Sequence, residues 1–434
     1  MGRLLTGLCA QTTLSVMMYS LFVLTDTVFI ARSEGAYAAG AVALAAPVLM
    51  VVDAVKTTVG AGGASVISRA LGAGDSEKAA MTAGNSFALF WIWAAMITVL
   101  GLVFLSPMTR LLGASGALYP YAKDYLRVMI IGTVTSTGFS SLIRAEGNAR
   151  FAMFIWVVPV AANFILDPIF IFGLKLGVVG AGIATVIAQS ISAGMSIWFF
   201  FFRRNRAYAI RLSHMRLKKK ICEEILGVGA PSFISQAGIS IYMVLLNTTV
   251  GRLGGDTMLA AYGIVSRLVS FFVMPFTGIV QGSQPVIGFN HAAGNMKRVK
   301  DAIRLSLSTS IVYGSVAAIA AWILAKNLLW IFTADEVIIT MGAAILPVIA
   351  LCFPFRGVLP IVSATFQAQG FPLQSLALSA GGILAVQLPL LYILPYIFGL
   401  EGLWYSFAAG EAILCAVSLV IVIRKGESDK WKAI

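Results

Sequence analysis

Long apolar runs separated by short polar breaks fill the chain from end to end. A helix that crosses a bilayer needs about 20 mostly apolar residues, and windows of about 19 residues predict twelve such helices. Six fall near Gly7 to Ala31, Ala41 to Val66, Met81 to Leu105, Tyr119 to Leu142, Phe151 to Phe172 and Val178 to Phe202. Six more fall near Ile225 to Val250, Met258 to Gly288, Ala302 to Leu324, Val337 to Phe366, Leu373 to Phe398 and Leu403 to Val422.

The pattern also repeats itself. Shifted by 220 residues, Gly7, Ala10, Arg32, Gly62, Val66, Ile67, Ala73 and Gly74 fall on Gly227, Ala230, Arg252, Gly282, Val286, Ile287, Ala293 and Gly294. After a slip of two or three residues, Ala145 and Gly147 meet Ala368 and Gly370, while Gly177 and Gly180 meet Gly399 and Gly402. A duplicated unit of six spans inserts both copies the same way up, which implies a pseudo-twofold axis along the membrane normal. The expected fold is all-α integral membrane, with twelve transmembrane helices in two six-helix lobes. Residues 1–202 and 222–434 form the lobes, and the basic stretch 203–221 is the cytoplasmic linker and tether.

Composition excludes the ordinary alternative. A chain of 434 residues would suggest roughly three soluble domains from its length. Its 59% hydrophobic and 11% charged residues, against about 45–50% and about 25% in globular chains, leave no room for a sizeable soluble catalytic domain. The net charge of +13 then becomes a question of placement. With the N-terminus inside, the cytoplasmic loops and tails hold 21 Lys and Arg, led by Arg203 to Lys220, Lys297 to Arg304 and Arg424 to Lys432. The outer loops hold six: Arg32, Arg110, Lys123, Lys175, Arg252 and Lys326. The positive-inside rule puts both termini in the cytoplasm of a multi-pass protein of the cell (inner) membrane, so the excess reads as orientation and not as nucleic-acid binding. Cys9, Cys222, Cys352 and Cys415 lie in or beside apolar segments without CxxC spacing and read as small hydrophobes. His214 and His291 lack metal-ligand spacing.

An ionisable group inside a bilayer costs at least about 2.5–3.5 kcal/mol on insertion scales and marks function by default. Asp26 lies ~28 Å from the cytoplasmic start of the first span at 1.5 Å per residue. Asn163 and Asp167 share one face of the fifth span at i and i+4, with Asp167 ~24 Å from its cytoplasmic end. Thr185 enters from outside on the sixth span, ~10 Å down. These four reach similar depth from three helices of one lobe. Pro168 lacks an N–H, so it loosens the helix beside Asp167 and can free a carbonyl. Two carboxylates, an amide and a hydroxyl can hold Na⁺, or one carboxyl can carry a proton. The competing reading is a set of interhelical hydrogen bonds that locks the lobe, each worth ~0.6 kcal/mol on average.

Several ordered motifs resemble the multidrug and toxic compound extrusion family. They are TDTVFIAR around Asp26, GASVISRALGAGD at Gly63 to Asp75, RAEGNARFAM at Arg144 to Met153 and NFILDPIFIFG at Asn163 to Gly173. GVVGAGIATVIAQ at Gly177 to Gln189 and QGSQPVIGFNHAAG at Gln281 to Gly294 complete the set, which spans almost the whole chain. The resemblance implies a twelve-helix, cation-coupled drug antiporter whose N-lobe cavity binds H⁺ or Na⁺ at Asp26, Asn163, Asp167 and Thr185; Pro168, where the helix is loosened, is the expected hinge. The chain departs from the family at Gln11, where many members have a proline. It also lacks the acids that some members carry in the seventh, eighth or tenth spans, which implies coupling in the N-lobe alone.

Five further charges are candidates for cavity or substrate contacts. Asp53 and Lys56, at i and i+3, either pair or line the cavity. Glu411, ~12 Å into the last span, either meets a substrate cation or makes an interhelical bond. Arg267 matches a family pattern, and Arg356, between Pro354 and Pro360, either faces the cavity or caps broken-helix carbonyls. The function expected is efflux of lipophilic, cationic small molecules in exchange for H⁺ or Na⁺, by a monomer in the lipid bilayer without a cofactor. A flippase for a lipid-linked precursor is the alternative, with Lys56, Arg267 and Arg356 converging on a diphosphate. No HExxH, GxSxG or GxxxxGK[ST] stands in the chain, so neither an intramembrane enzyme nor an ATPase is expected.

Overall fold

A computed structural model of the chain describes residues 2–112, 118–135, 139–203, 206–332 and 335–427. The end of the C-terminal basic run, from Ser428 on, and Arg204 in the linker lie outside these residues. Among the described residues the structure is all helical. Nine helices are long and apolar enough to cross a membrane, or ten when Glu336–Ala350 and Phe353–Gln369, bent by 48°, count as one. Residues such as Val99, Ile319 and Ile323 stay exposed on their flanks, as lipid-facing positions do.

Glycine determines where the long helical runs turn. The run Lys219–Ala292 contains 74 residues, ~110 Å at 1.5 Å per residue, far beyond a hydrocarbon core of about 30 Å. It breaks at Gly255 (φ 70°), and Leu388–Glu427 breaks at Gly399 (φ 61°). Both angles are open to glycine and costly to other residues.

The duplication read from the sequence is carried by the backbone. Helices Ser76–Val103 and Met296–Ile323 each have 28 residues and are related by the 220-residue shift. The turns before them match bond for bond. Gly74 (φ 79°) donates to Leu71 O and Asp75 to Ala70 O, and Gly294 (φ 74°) donates to His291 O and Asn295 to Asn290 O. A second pair of turns repeats this at Gly147 (φ 86°) and Gly370 (φ 87°). Each is a glycine C-cap that uses the left-handed region to satisfy the last carbonyls.

Two compact units form, one of Leu14–Gly229 and one of Met1–Thr13 with Ala230–Ile434. They are cut differently from the chain-order division at 203–221, because two crossover segments, residues 2–13 and 219–229, pack against the other half of the chain. In the first unit a Cβ on Gly62 would meet Ile225 O at 1.9 Å, and one on Gly229 would meet Thr58 O at 2.1 Å. In the second unit a Cβ on Gly278 would meet Thr13 Oγ1 at 2.2 Å, and one on Gly282 would meet Cys9 Cα at 2.9 Å. Hydrogen in place of a methyl lets the helix backbones touch at these crossings.

The basic segment packs on the first unit. Asn85, fully buried, donates to His214 O at 3.0 Å and accepts the Lys218 N–H at 2.8 Å. Arg206 pairs with Glu146, whose side chain is wholly buried, donates to Phe200 O, and lies over the rings of Phe199, Phe200 and Tyr208. Burial pushes the Tyr208 hydroxyl well above the usual phenol range, with the Glu146 carboxylate adding to the rise. Tyr208, Ile210, Ile221 and Ile225 join the core around Phe87 and Phe139.

Candidate ion-coupling and substrate sites

In the unit Leu14–Gly229, the sequence run Asn163-x-x-x-Asp167 sits at the end of helix Ala149–Pro168. Asn163 Nδ2 donates to Asp167 Oδ1 at 3.0 Å, the bond that i, i+4 spacing allows. Asp26 lies close enough for its carboxylate to act electrostatically on Asp167. All four predicted residues are buried, with exposures of 6% for Asp26, 1% for Asn163, 0% for Asp167 and 3% for Thr185. Among the described residues Asp26 Oδ1, Asp167 Oδ2 and Thr185 Oγ1 have no hydrogen-bond partner. Three orphaned oxygens, two of them on acids, are an expensive arrangement in low dielectric. A proton or a small cation would resolve it.

The helix changes pitch at this point. After Pro168 the residues Ile169–Gly173 form a π turn, closed by Leu174 N–H to Ile169 O at 2.8 Å. Pro168 has no N–H to return to the preceding turn, and an i to i+5 bond takes up the slack. Glu34, which sequence reading passed over, accepts the Val178 N–H at 2.8 Å and closes the N-terminus of helix Gly177–Phe201, which carries Thr185. Its partner lies 144 residues away, so no local pattern announced it. Beside Asn163 a cavity of about 290 Å³ is lined by Met18, Leu21, Val160, Ala161, Phe164 and Ile165. Met18 therefore faces a cavity. Phe29 stands against Phe164 and Phe172, with ring centroids 6.0 and 6.2 Å away.

The other candidate charges are largely neutralised. Lys56 Nζ meets Asp53 Oδ1 at 2.5 Å. Arg356, read from sequence as a cavity residue or a carbonyl cap, pairs with Glu411, Nη1 to Oε1 at 3.3 Å. Gln387 Nε2 donates to the same oxygen at 3.3 Å from the π turn Gly382–Gln387. The same depth search, extended from acids to amides, would have found Gln387. Arg267 is exposed.

A family model now gives the decisive match. The MatE model fits the chain twice, over residues 12–169 and 231–393. The chain belongs to the MatE family. The two matches start 219 residues apart, in step with the duplicated turns. Members of the MatE family are transporters, so this chain is a multi-pass membrane transporter and not an enzyme. It is similar to the multidrug export protein MepA of Staphylococcus haemolyticus (strain JCSC1435), 29% identical over 399 residues, 91% of this chain and 87% of that protein. MepA of Staphylococcus aureus (strain N315) is 29% identical over 402 residues, with the same coverages. Among solved structures, an outward-facing multidrug resistance MATE family transporter of the MOP superfamily superposes with a TM-score of 0.92 at 26% identity, over 97% of this chain and 95% of that one. A MOP superfamily transporter from Pyrococcus furiosus, described by a binding pocket of reverse polarity, gives 0.93 at 26% identity, over 98% and 95%.

Proposed function

We propose that this MatE protein is a secondary multidrug antiporter that expels lipophilic cations in exchange for H⁺ or Na⁺. The observation that carries the reading is the trio of buried, unpartnered oxygens on Asp26, Asp167 and Thr185. With Asn163 they form the ion site, and Pro168 with its π turn is the hinge. Ion uptake from outside cancels the acid charges, the helix around Pro168 repacks, and drug is released outward. Ion release inward then restores the drug-accepting state. The apolar cavity beside Asn163 supports the reading, because Met and aromatic side chains accept varied lipophilic bodies.

The architecture proposed is twelve spans in two six-helix lobes, 1–202 and 222–434 in chain order, about a pseudo-twofold axis along the membrane normal. Two features support this count. Gly399 divides the 53-residue stretch Pro372–Arg424, and the apolar segment Leu5–Met18 begins a further span. The protein acts as a monomer in the cell membrane with both termini cytoplasmic and needs no cofactor. The flippase alternative is weaker, since Lys56 and Arg356 already hold acids and a diphosphate would bring surplus negative charge.

The test is transport of a fluorescent lipophilic cation by proteoliposomes under separately imposed pH and Na⁺ gradients. One gradient should drive uptake against the dye's own gradient. Dye movement indifferent to both would sink the antiport reading.

A further inference from the structure

Helix Ser76–Val103 has the basic linker at its start, where Asn85 holds it, and at its other end leads into a second positive cluster. There the short helix Leu105–Leu111 carries Arg110, and helix Leu118–Gly132 carries Tyr119 and Lys123. The guanidinium carbon of Arg110 stands 5.8 Å from the centre of the Tyr119 ring, and Lys123 Nζ stands 5.7 Å from it. The Tyr119 hydroxyl is within hydrogen-bond reach of Ser106 and Arg110. Among the described residues neither cation forms an ion pair, with Asp124 or with any other acid. Arg127, four positions after Lys123, adds a third cation to the same helix face. Like charges gathered around one ring repel, and cation–π contact at an exposed site offsets only part of that.

An anion would complete the cluster, and the surroundings say which kind. An open cleft of about 560 Å³ beside the ring is lined by Ser106, Pro107, Arg110 and Leu111. Its rim is apolar and uncovered: Leu111 is 89% exposed, and Val103 and Phe104, at the end of the preceding helix, are 68% and 56% exposed. Positive charge at the end of an apolar flank fits an amphiphile, with acyl chains along the flank and a phosphodiester at Arg110 and Lys123. A choline or ethanolamine headgroup would bring its own ammonium to a ring that already faces two cations. We propose that this cleft binds the headgroup phosphate of an anionic phospholipid such as phosphatidylglycerol. Leu105, Tyr125 and Leu126 share one apolar cluster with Ile171 of the π turn and with Val178, so a headgroup that ties the two helices braces the wall behind Pro168. That use in transport rests on the ion-coupling reading, whereas lipid binding does not.

The experiment is native mass spectrometry of the purified full-length protein, released from detergent micelles that hold either dioleoyl-phosphatidylglycerol or dioleoyl-phosphatidylcholine. It gives an association constant for the first lipid bound. Wild type should favour phosphatidylglycerol several-fold. Arg110→Gln with Lys123→Gln should lower that constant on the order of tenfold and leave phosphatidylcholine within about twofold. Lys219→Gln with Lys220→Gln removes the same charge from the exposed linker and should change neither lipid by more than about twofold. Equal losses from the two double variants, or no preference in wild type, overturns the proposal. So does displacement of the lipid by glycerol 1-phosphate at matching concentration, which would make the cleft a site for free anions. Should the outer double variant fail to fold, Lys123→Gln carries the test, with a loss of about threefold for phosphatidylglycerol alone, and an unchanged constant overturns the proposal.

Discussion

Asp167→Asn should abolish ion-driven efflux and leave the fold intact or slightly firmer. The side chain is fully buried, accepts one bond from Asn163 at 3.0 Å and feels the charge of Asp26. An asparagine keeps the shape and an acceptor oxygen for Asn163 while removing the repulsion. For the bound ion the sign is opposite. One negative charge lost at ~4 Å, with an effective dielectric constant of ~20, removes about 4 kcal/mol of attraction, about a thousandfold in H⁺ or Na⁺ affinity. The assay pairs proteoliposome transport under each gradient with thermal unfolding in detergent. If the four residues merely lock the helices, the outcome reverses. Weakening of the buried Asn163 bond from a charge-assisted to a neutral one would then cost about 1 kcal/mol, the melting temperature would fall, and transport would decline with the folded fraction. A well-folded Asp167→Asn protein that still pumps under a gradient would refute the assignment.

Glu146→Ala should destabilise the protein by about 3–5 kcal/mol, since it leaves the buried Arg206 unpaired, while Glu146→Leu with Arg206→Met should lie much closer to wild type. Thermal melts of the singles and the double decide this, and additive losses would show that the pair does not act as a unit. Gly62→Ala forces a methyl to 1.9 Å from Ile225 O and should cost about 1–3 kcal/mol or more by overpacking. Gly194→Ala, with nothing within 4 Å, should gain about 0.4–1 kcal/mol in the same assay, and similar melts for the two would undermine the helix-crossing argument.

What could be read from sequence was what is local or periodic. Apolar runs gave the helices, and the turns at Gly74, Gly147 and Gly177 showed because a positive φ restricts the residue in both copies. The Asn163–Asp167 bond followed from i, i+4 spacing. Depth along a helix could be counted, but rotation about the axis could not, so the Arg356–Glu411 pair, 55 residues apart, stayed hidden. The exchange of crossover segments between units was hidden for the same reason: Gly62 and Ile225 meet across most of a lobe's sequence. The linker read as a charged tether, because composition reports its lysines and arginines and is silent about Asn85 and Glu146, which hold it.

Duplication sharpens the argument about where coupling resides. The turns repeat bond for bond, so a difference in chemistry between the units must lie in side chains. Asp26 falls on Leu246 by the 220-residue shift, and Leu246 is fully buried. Shifted by 222 or 223, Asn163 lands on Ala385 or Val386 and Asp167 on Pro389 or Leu390, while Thr185 shifted by 222 lands on Phe407. Every oxygen of the proposed ion site is replaced by carbon in the other copy. Glu411, in turn, falls on Gln189, so its pairing with Arg356 has no counterpart in the first copy. The duplicated scaffold carries surplus negative charge in one copy and a cancelled pair in the other. An ion that must bind and leave in every cycle needs the first kind of site. A neutral pair offers it little, which assigns ion coupling in this reading to Asp26 and Asp167 and leaves the second unit free to discriminate among substrates.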